Sequence, residues 1–93
     1  MRQIVAKRAG GPEVLEVVEA PKPDAGAGEV VVQAEAIGVN FADVWVRLGA
    51  DGEPPYAPGI EVAGTVAAAG EGVEAPRVGE RVVATPYETR GAY

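Results

Sequence analysis

Ala36-Ile37-Gly38-Val39-Asn40-Phe41-Ala42-Asp43-Val44-Trp45-Val46-Arg47-Leu48-Gly49 is the stretch on which the fold is decided. Phe41, Val44, Trp45 and Leu48 stand at i, i+3, i+4 and i+7, so a helix over residues 40–48 collects them on one apolar face. Asn40 occupies the place of an N-cap, whose side-chain oxygen can accept an orphan helix N–H. Asp43, three residues on, can close a capping-box-like exchange. Gly49 tolerates the left-handed backbone that ends many helices. No other segment of the sequence has so clear a helical pattern.

On either side the chain reads as strands and turns. Thirteen glycines and eight prolines punctuate it at short intervals, which suits strands joined by turns. Upstream, Arg2 to Arg8 forms a first strand closed by Gly10-Gly11-Pro12. Val14, Leu15, Val17 and Val18 form a second, ended by Pro21 and Pro23. After the turn Asp24-Ala25-Gly26-Ala27-Gly28 comes a valine-rich third strand, Glu29 to Ile37. Its apolar residues do not alternate cleanly, so register and buried face stay open. Downstream, a proline-bearing loop from Asp51 to Gly59 leads into a long fourth strand, Ile60 to Ala69. Gly64 inside that strand marks a bulge or a close backbone approach. Gly70-Glu71-Gly72 and Gly79-Glu80 turn the chain again, into a strand from Arg81 to Ala84. No turn or polar tail follows Gly91-Ala92-Tyr93, and so few strands with one helix are hard to close into a core. A truncated chain is therefore expected.

At 93 residues there is room for one small domain, and 47% hydrophobic with 24% charged residues is ordinary for a soluble fold. Apolar runs are only a few residues long, so no membrane contact is expected. Met1-Arg2-Gln3 leads into Ile4, Val5, Lys7 and Arg8 without a signal-peptide core, which points to the cytoplasm. The net charge of −6 comes from scattered acids, a solvated surface that offers nucleic acid no basic face. Cysteine and histidine are both absent. That excludes a disulfide, a thiol nucleophile, an imidazole base and a zinc site of the usual kind within the chain.

Three stretches, taken in order, carry a family pattern: Ala36-Ile37-Gly38-Val39-Asn40-Phe41-Ala42-Asp43, Pro58-Gly59-Ile60-Glu61-Val62-Ala63-Gly64-Thr65-Val66 and Val78-Gly79-Glu80-Arg81-Val82. With the opening Gly10-Gly11-Pro12-Glu13-Val14-Leu15, their order and spacing across nearly the whole chain resemble the GroES-like catalytic domain of the medium-chain dehydrogenase/reductase superfamily. The resemblance implies a mainly β fold: a GroES-like partial β-barrel with one short helix, the N-terminal part of a two-domain α/β reductase. Residues 1–93 would then be an incomplete catalytic domain, with the Rossmann cofactor domain absent from this chain. Neither Gly10-Gly11 nor Gly70-Glu71-Gly72 is followed by the helix that a dinucleotide fingerprint needs.

Within the superfamily, zinc-dependent members carry a cysteine where Asn40 stands and a histidine where Ile60 stands. An isoleucine offers zinc no donor and an asparagine amide is a poor one. What remains is similar to the zinc-free quinone oxidoreductase, or zeta-crystallin-like, branch; relatives of the vesicle protein VAT-1 share Asn-Phe-Ala-Asp and the proline-bearing loop. The resemblance implies NADPH as cofactor, no metal, and hydride transfer to a quinone or an α,β-unsaturated carbonyl (an enone). It also allows a homodimer built through the missing domain. The reading from another class is a stand-alone, non-catalytic β-domain for binding or assembly.

Carried over residue by residue, the resemblance places Asn40, Phe41 and Asp43 at the cofactor. Asn40 and Trp45 become the catalytic positions, and Trp45, Asp51, Tyr56 and Glu61 line the substrate pocket. Each has a plainer reading. Asn40 is a helix cap and Asp43 its capping-box partner. Trp45, on the apolar stripe, packs in the core; in the family a tyrosine is usual here, and tryptophan has no ionisable hydroxyl. Tyr56 packs a loop, and Arg47 lies on the surface. Glu61 either faces solvent or pairs with a cation from the missing domain, since an unpaired buried carboxylate is costly. Gly59 and Gly64 are backbone requirements.

Overall fold

The computed structural model describes residues 1–50, 52–86 and 91–93. Among them are five strands and one α-helix, mainly β as expected: β1 (Arg2–Ala6), β2 (Leu15–Glu19), β3 (Val30–Ile37), α1 (Phe41–Arg47), β4 (Val62–Ala69) and β5 (Arg81–Ala84). β1 and β2 form an antiparallel ribbon in which Ile4 faces Val17 and Ala6 faces Leu15. Between them Pro12–Val14 makes a single 3-10 turn, with proline at the start where its missing N–H is no loss. Val14 thus belongs to the turn rather than to the second strand.

β3, β4 and β5 form a second antiparallel sheet with β4 at its centre. On β4, Val62, Gly64 and Val66 are buried while Ala63 and Thr65 are not, the period-two pattern of a half-buried strand. Gly64 is opposite Ala34, and any Cβ there would run into the Gln33 carbonyl. The close approach expected at Gly64 is present. Beside it, Glu35 is an extra residue between Ala34, paired with Gly64, and Ala36, paired with Ala63. A second shift lies between Val31, paired with Ala68, and Val32, paired with Val66, so β3 keeps no single period-two register along its length.

The core is small. Ala6, Val14, Val46 and Tyr56 form its main cluster, with Leu15 packed against it; Ile60, Val62 and Val66 are also buried. Ala6 and Tyr56 exchange backbone hydrogen bonds at 2.8 Å in both directions, which fastens the 52–59 loop to the end of β1.

α1 turns the expected apolar face outward. Its buried residues are Asp43 and Val46, whereas Phe41 is 71% exposed, Trp45 56% and Leu48 52%. Successive residues advance about 100° around a helix, so Asp43 and Val46 lie nearly opposite Phe41, Trp45 and Leu48. The core reading of Trp45 is therefore corrected. Its stripe is real, but none of the described residues buries it. The inward face is set instead by one valine and by the hydrogen bonds of a carboxylate.

Candidate functional site

Asp43 joins three segments of the chain. Its side chain is 5% exposed. Oδ2 accepts the Asn40 N–H at 2.9 Å and the Tyr93 hydroxyl at 2.8 Å, and Oδ1 accepts the Gly59 N–H at 2.8 Å. The first bond is the Asp43 arm of a capping box between N-cap and N3, whose return arm sets the Asn40 side chain against the Asp43 N–H; that N–H also donates to the Asn40 backbone carbonyl at 3.0 Å. The capping reading of Asn40 and Asp43 holds. A carboxylate accepting two backbone N–H groups and a phenol can be buried because its charge is met by donors.

The 91–93 segment lies along the 57–59 loop. Gly91, Ala92 and Tyr93 donate backbone N–H groups to Ala57, Gly59 and Pro58 at 3.1, 3.2 and 3.5 Å. Gly59 has φ +111°, and a Cβ there would lie 2.6 Å from the Ala92 nitrogen. Only glycine meets both conditions. The Tyr93 phenol is pushed up to about 12, by burial first and then by its bond to Asp43 and that carboxylate's negative charge. It stays a protonated donor through the neutral range.

Asn40 is half-buried, and its side-chain Nδ2 is sealed from solvent with no hydrogen-bond partner among the described residues. An unsatisfied buried amide costs about 1–3 kcal/mol, so a native structure that keeps one has a use for it. Phe41 and Trp45 follow on the outward face, their rings edge-to-face with centroids 5.6 Å apart. A donor lacking an acceptor, next to exposed aromatic surface, suits a planar ring that carries an oxygen acceptor. A nicotinamide is such a ring, and so is a quinone.

Tyr56 packs in the core, 6% exposed, and its hydroxyl donates to the Gly52 carbonyl at 2.6 Å. Glu61 faces solvent beside Gly38, whose N–H donates to the Glu61 carbonyl at 3.1 Å; among the described residues no cation pairs with its side chain. Asp51 lies outside the described residues. Arg47 is a tie rather than a plain surface residue. Its Nε donates to the Gly10 carbonyl at 3.0 Å while the Gly10 N–H donates to the Arg47 carbonyl at 3.1 Å. Sequence reasoning missed Tyr93, because nothing local links it to a carboxylate fifty positions earlier.

At the two positions aligned with zinc ligands, Ile60 is 5% exposed in the core and Asn40 offers only an amide. Among the described residues, no three His, Cys, Asp or Glu side chains come together to hold a metal ion. No helix among them is long and apolar enough to cross a membrane.

The strand-rich fold with one short capped helix agrees with a GroES-like domain. Residues 26–93 match the alcohol dehydrogenase GroES-like domain, and the chain belongs to that family. It is 45% identical over 86 residues to a quinone oxidoreductase of Salmonella typhimurium, covering 90% of this chain and 26% of that protein. The structure of Escherichia coli quinone oxidoreductase complexed with NADPH superposes with a TM-score of 0.81 at 39% identity, over 91% of this chain and 27% of the other. The human synaptic vesicle membrane protein VAT-1 homolog-like protein gives a TM-score of 0.86 at 35% identity, over 97% and 30%. The chain thus spans about a quarter to a third of the length of these relatives.

Proposed function

We propose that the protein carrying this chain is a zinc-independent, NADPH-dependent reductase of quinones or enones, and that this domain forms one wall of its cofactor cleft. The observation that carries the proposal is the Asn40 side chain, a sealed amide donor without an acceptor among the described residues, at the head of a helix whose outward face is aromatic. The Salmonella relative, a quinone oxidoreductase, and the NADPH complex of the Escherichia coli relative support the same activity.

NADPH, when bound, supplies the hydride, which with one proton from solvent reduces a quinone to a hydroquinone. The chain's residues bind and orient. Asn40, turned from its sealed position toward the cleft, would donate Nδ2 to an oxygen carried by the ring and so orient it. Phe41 and Trp45 present apolar surface to it and exclude water. Trp45 has no proton to give at neutral pH, so its contribution is shape. Asp43 acts from behind, holding Asn40 rather than touching the cofactor, since both its oxygens are engaged within the chain. The VAT-1-like reading is second, favoured by the high TM-score of that neighbour.

The test is NADPH consumption by the full-length protein, dialysed against a chelator, with p-benzoquinone as acceptor. The proposal expects turnover that chelator leaves unchanged. Absence of turnover with quinones and enones alike would sink it, as would activity lost to chelator and restored by zinc.

A further inference from the structure

We propose that Tyr93 is a positioning residue for Asn40: its hydroxyl fixes the Asp43 carboxylate, and through it the capped turn that aims the Asn40 side-chain amide. The inference rests on the reading of Asn40 given above and adds a residue to it.

The geometry is specific. One oxygen, Asp43 Oδ2, accepts both the Asn40 N–H and the Tyr93 hydroxyl, and the other accepts from Gly59. Three donors from three segments define the carboxylate plane; with the phenol removed, only two hold it. Tyr93 is brought there by backbone contacts of its own, because the 91–93 segment lies along the 57–59 loop where Gly59 leaves room for it. The phenol stays protonated well above neutral pH, so it donates at every working pH. A hydroxyl so held, with its O–H engaged by Asp43, is poorly suited as an acid toward substrate. Its part is to orient.

The experiment is a double-mutant cycle in the full-length protein with Asn40→Ser and Tyr93→Phe. Serine keeps the helix cap and removes only the amide donor; phenylalanine keeps the ring and removes only the hydroxyl. NADPH Kd is read by fluorescence titration, and amide exchange at Asn40 by hydrogen–deuterium exchange without cofactor. Tyr93→Phe should weaken NADPH binding roughly three- to tenfold, in the lower part of the range of coupling between neighbouring residues. It should also speed exchange at the Asn40 amide, and in the Asn40→Ser background it should add no further loss of affinity. Equal weakening by Tyr93→Phe in both backgrounds, or an unchanged Kd, overturns the positioning role while leaving Asn40 at the cofactor. An Asn40→Ser protein that binds NADPH as tightly as the parent overturns the reading of Asn40, and this inference with it. Faster exchange at Asn40 with unchanged exchange in the strands separates lost positioning from poor folding; faster exchange everywhere in Tyr93→Phe overturns the positioning role.

Discussion

Replacing Asp43 by alanine is the sharpest perturbation of this fold, because one buried carboxylate joins α1, the 57–59 loop and the 91–93 segment. The Gly59 N–H is buried and would lose its partner, at a cost of about 1–3 kcal/mol. Loss of the capping-box arm to Asn40 adds about 1 kcal/mol. The Tyr93 hydroxyl can turn toward water, so its bond adds roughly 1 kcal/mol or less. Together these come to about 2–5 kcal/mol, a large share of the roughly 5–14 kcal/mol expected for a domain of this size. Asp43→Asn keeps one acceptor oxygen and should lose about half as much. Urea unfolding followed by far-ultraviolet circular dichroism reads the effect. With a slope of about 1–3 kcal/mol per molar urea, the alanine midpoint should fall by roughly 2 M, or the chain should be unfolded in water. An Asp43→Ala midpoint within 0.3 M or so of the parent would refute the idea that this carboxylate joins the three segments.

The two faces of α1 should separate cleanly. Val46→Ala, at a buried site, should cost about 1–3 kcal/mol, while Trp45→Ala on the exposed stripe should stay within about 0.5 kcal/mol, both measured by denaturant midpoint. Gly59→Ala meets a left-handed backbone and the Ala92 nitrogen together and should cost about 2–4 kcal/mol; Gly72→Ala, with φ +83° and open space, should cost about 1 kcal/mol. The Tyr93 phenol binds its proton more tightly in the folded state, so its share of stability is fully present below pH 10 or so and is lost as pH rises toward 12. A spectrophotometric titration should show one phenol ionising near pH 12, and Tyr93→Phe should remove that step and flatten stability over the same window.

Local chemistry was legible in the sequence, and partnership was not. The helix, its Asn40–Asp43 capping box, the Gly49 stop and the tight spot at Gly64 all follow from residues within a few positions of one another or from the absence of one Cβ. The outward turn of Phe41, Trp45 and Leu48 does not, because periodicity shows that a stripe exists and not what covers it. Tyr56 sits in the proline-bearing loop and is nonetheless core, since its backbone pairs with Ala6 from the far side of the chain. Tyr93 reaches Asp43 only because Gly59 admits the 91–93 backbone, a condition met in space and invisible in local pattern. Arg47 looked solvated from its place off the stripe, yet the 10–11 turn folds back to meet it.

The Asn40 side-chain amide can be followed by NMR in the full-length protein once Asn40→Ser identifies its signal. On saturation with NADPH, that NH2 pair should move downfield as the donor gains its acceptor. A pair that keeps its shift at full NADPH occupancy would contradict the claim that this domain meets its cofactor through Asn40.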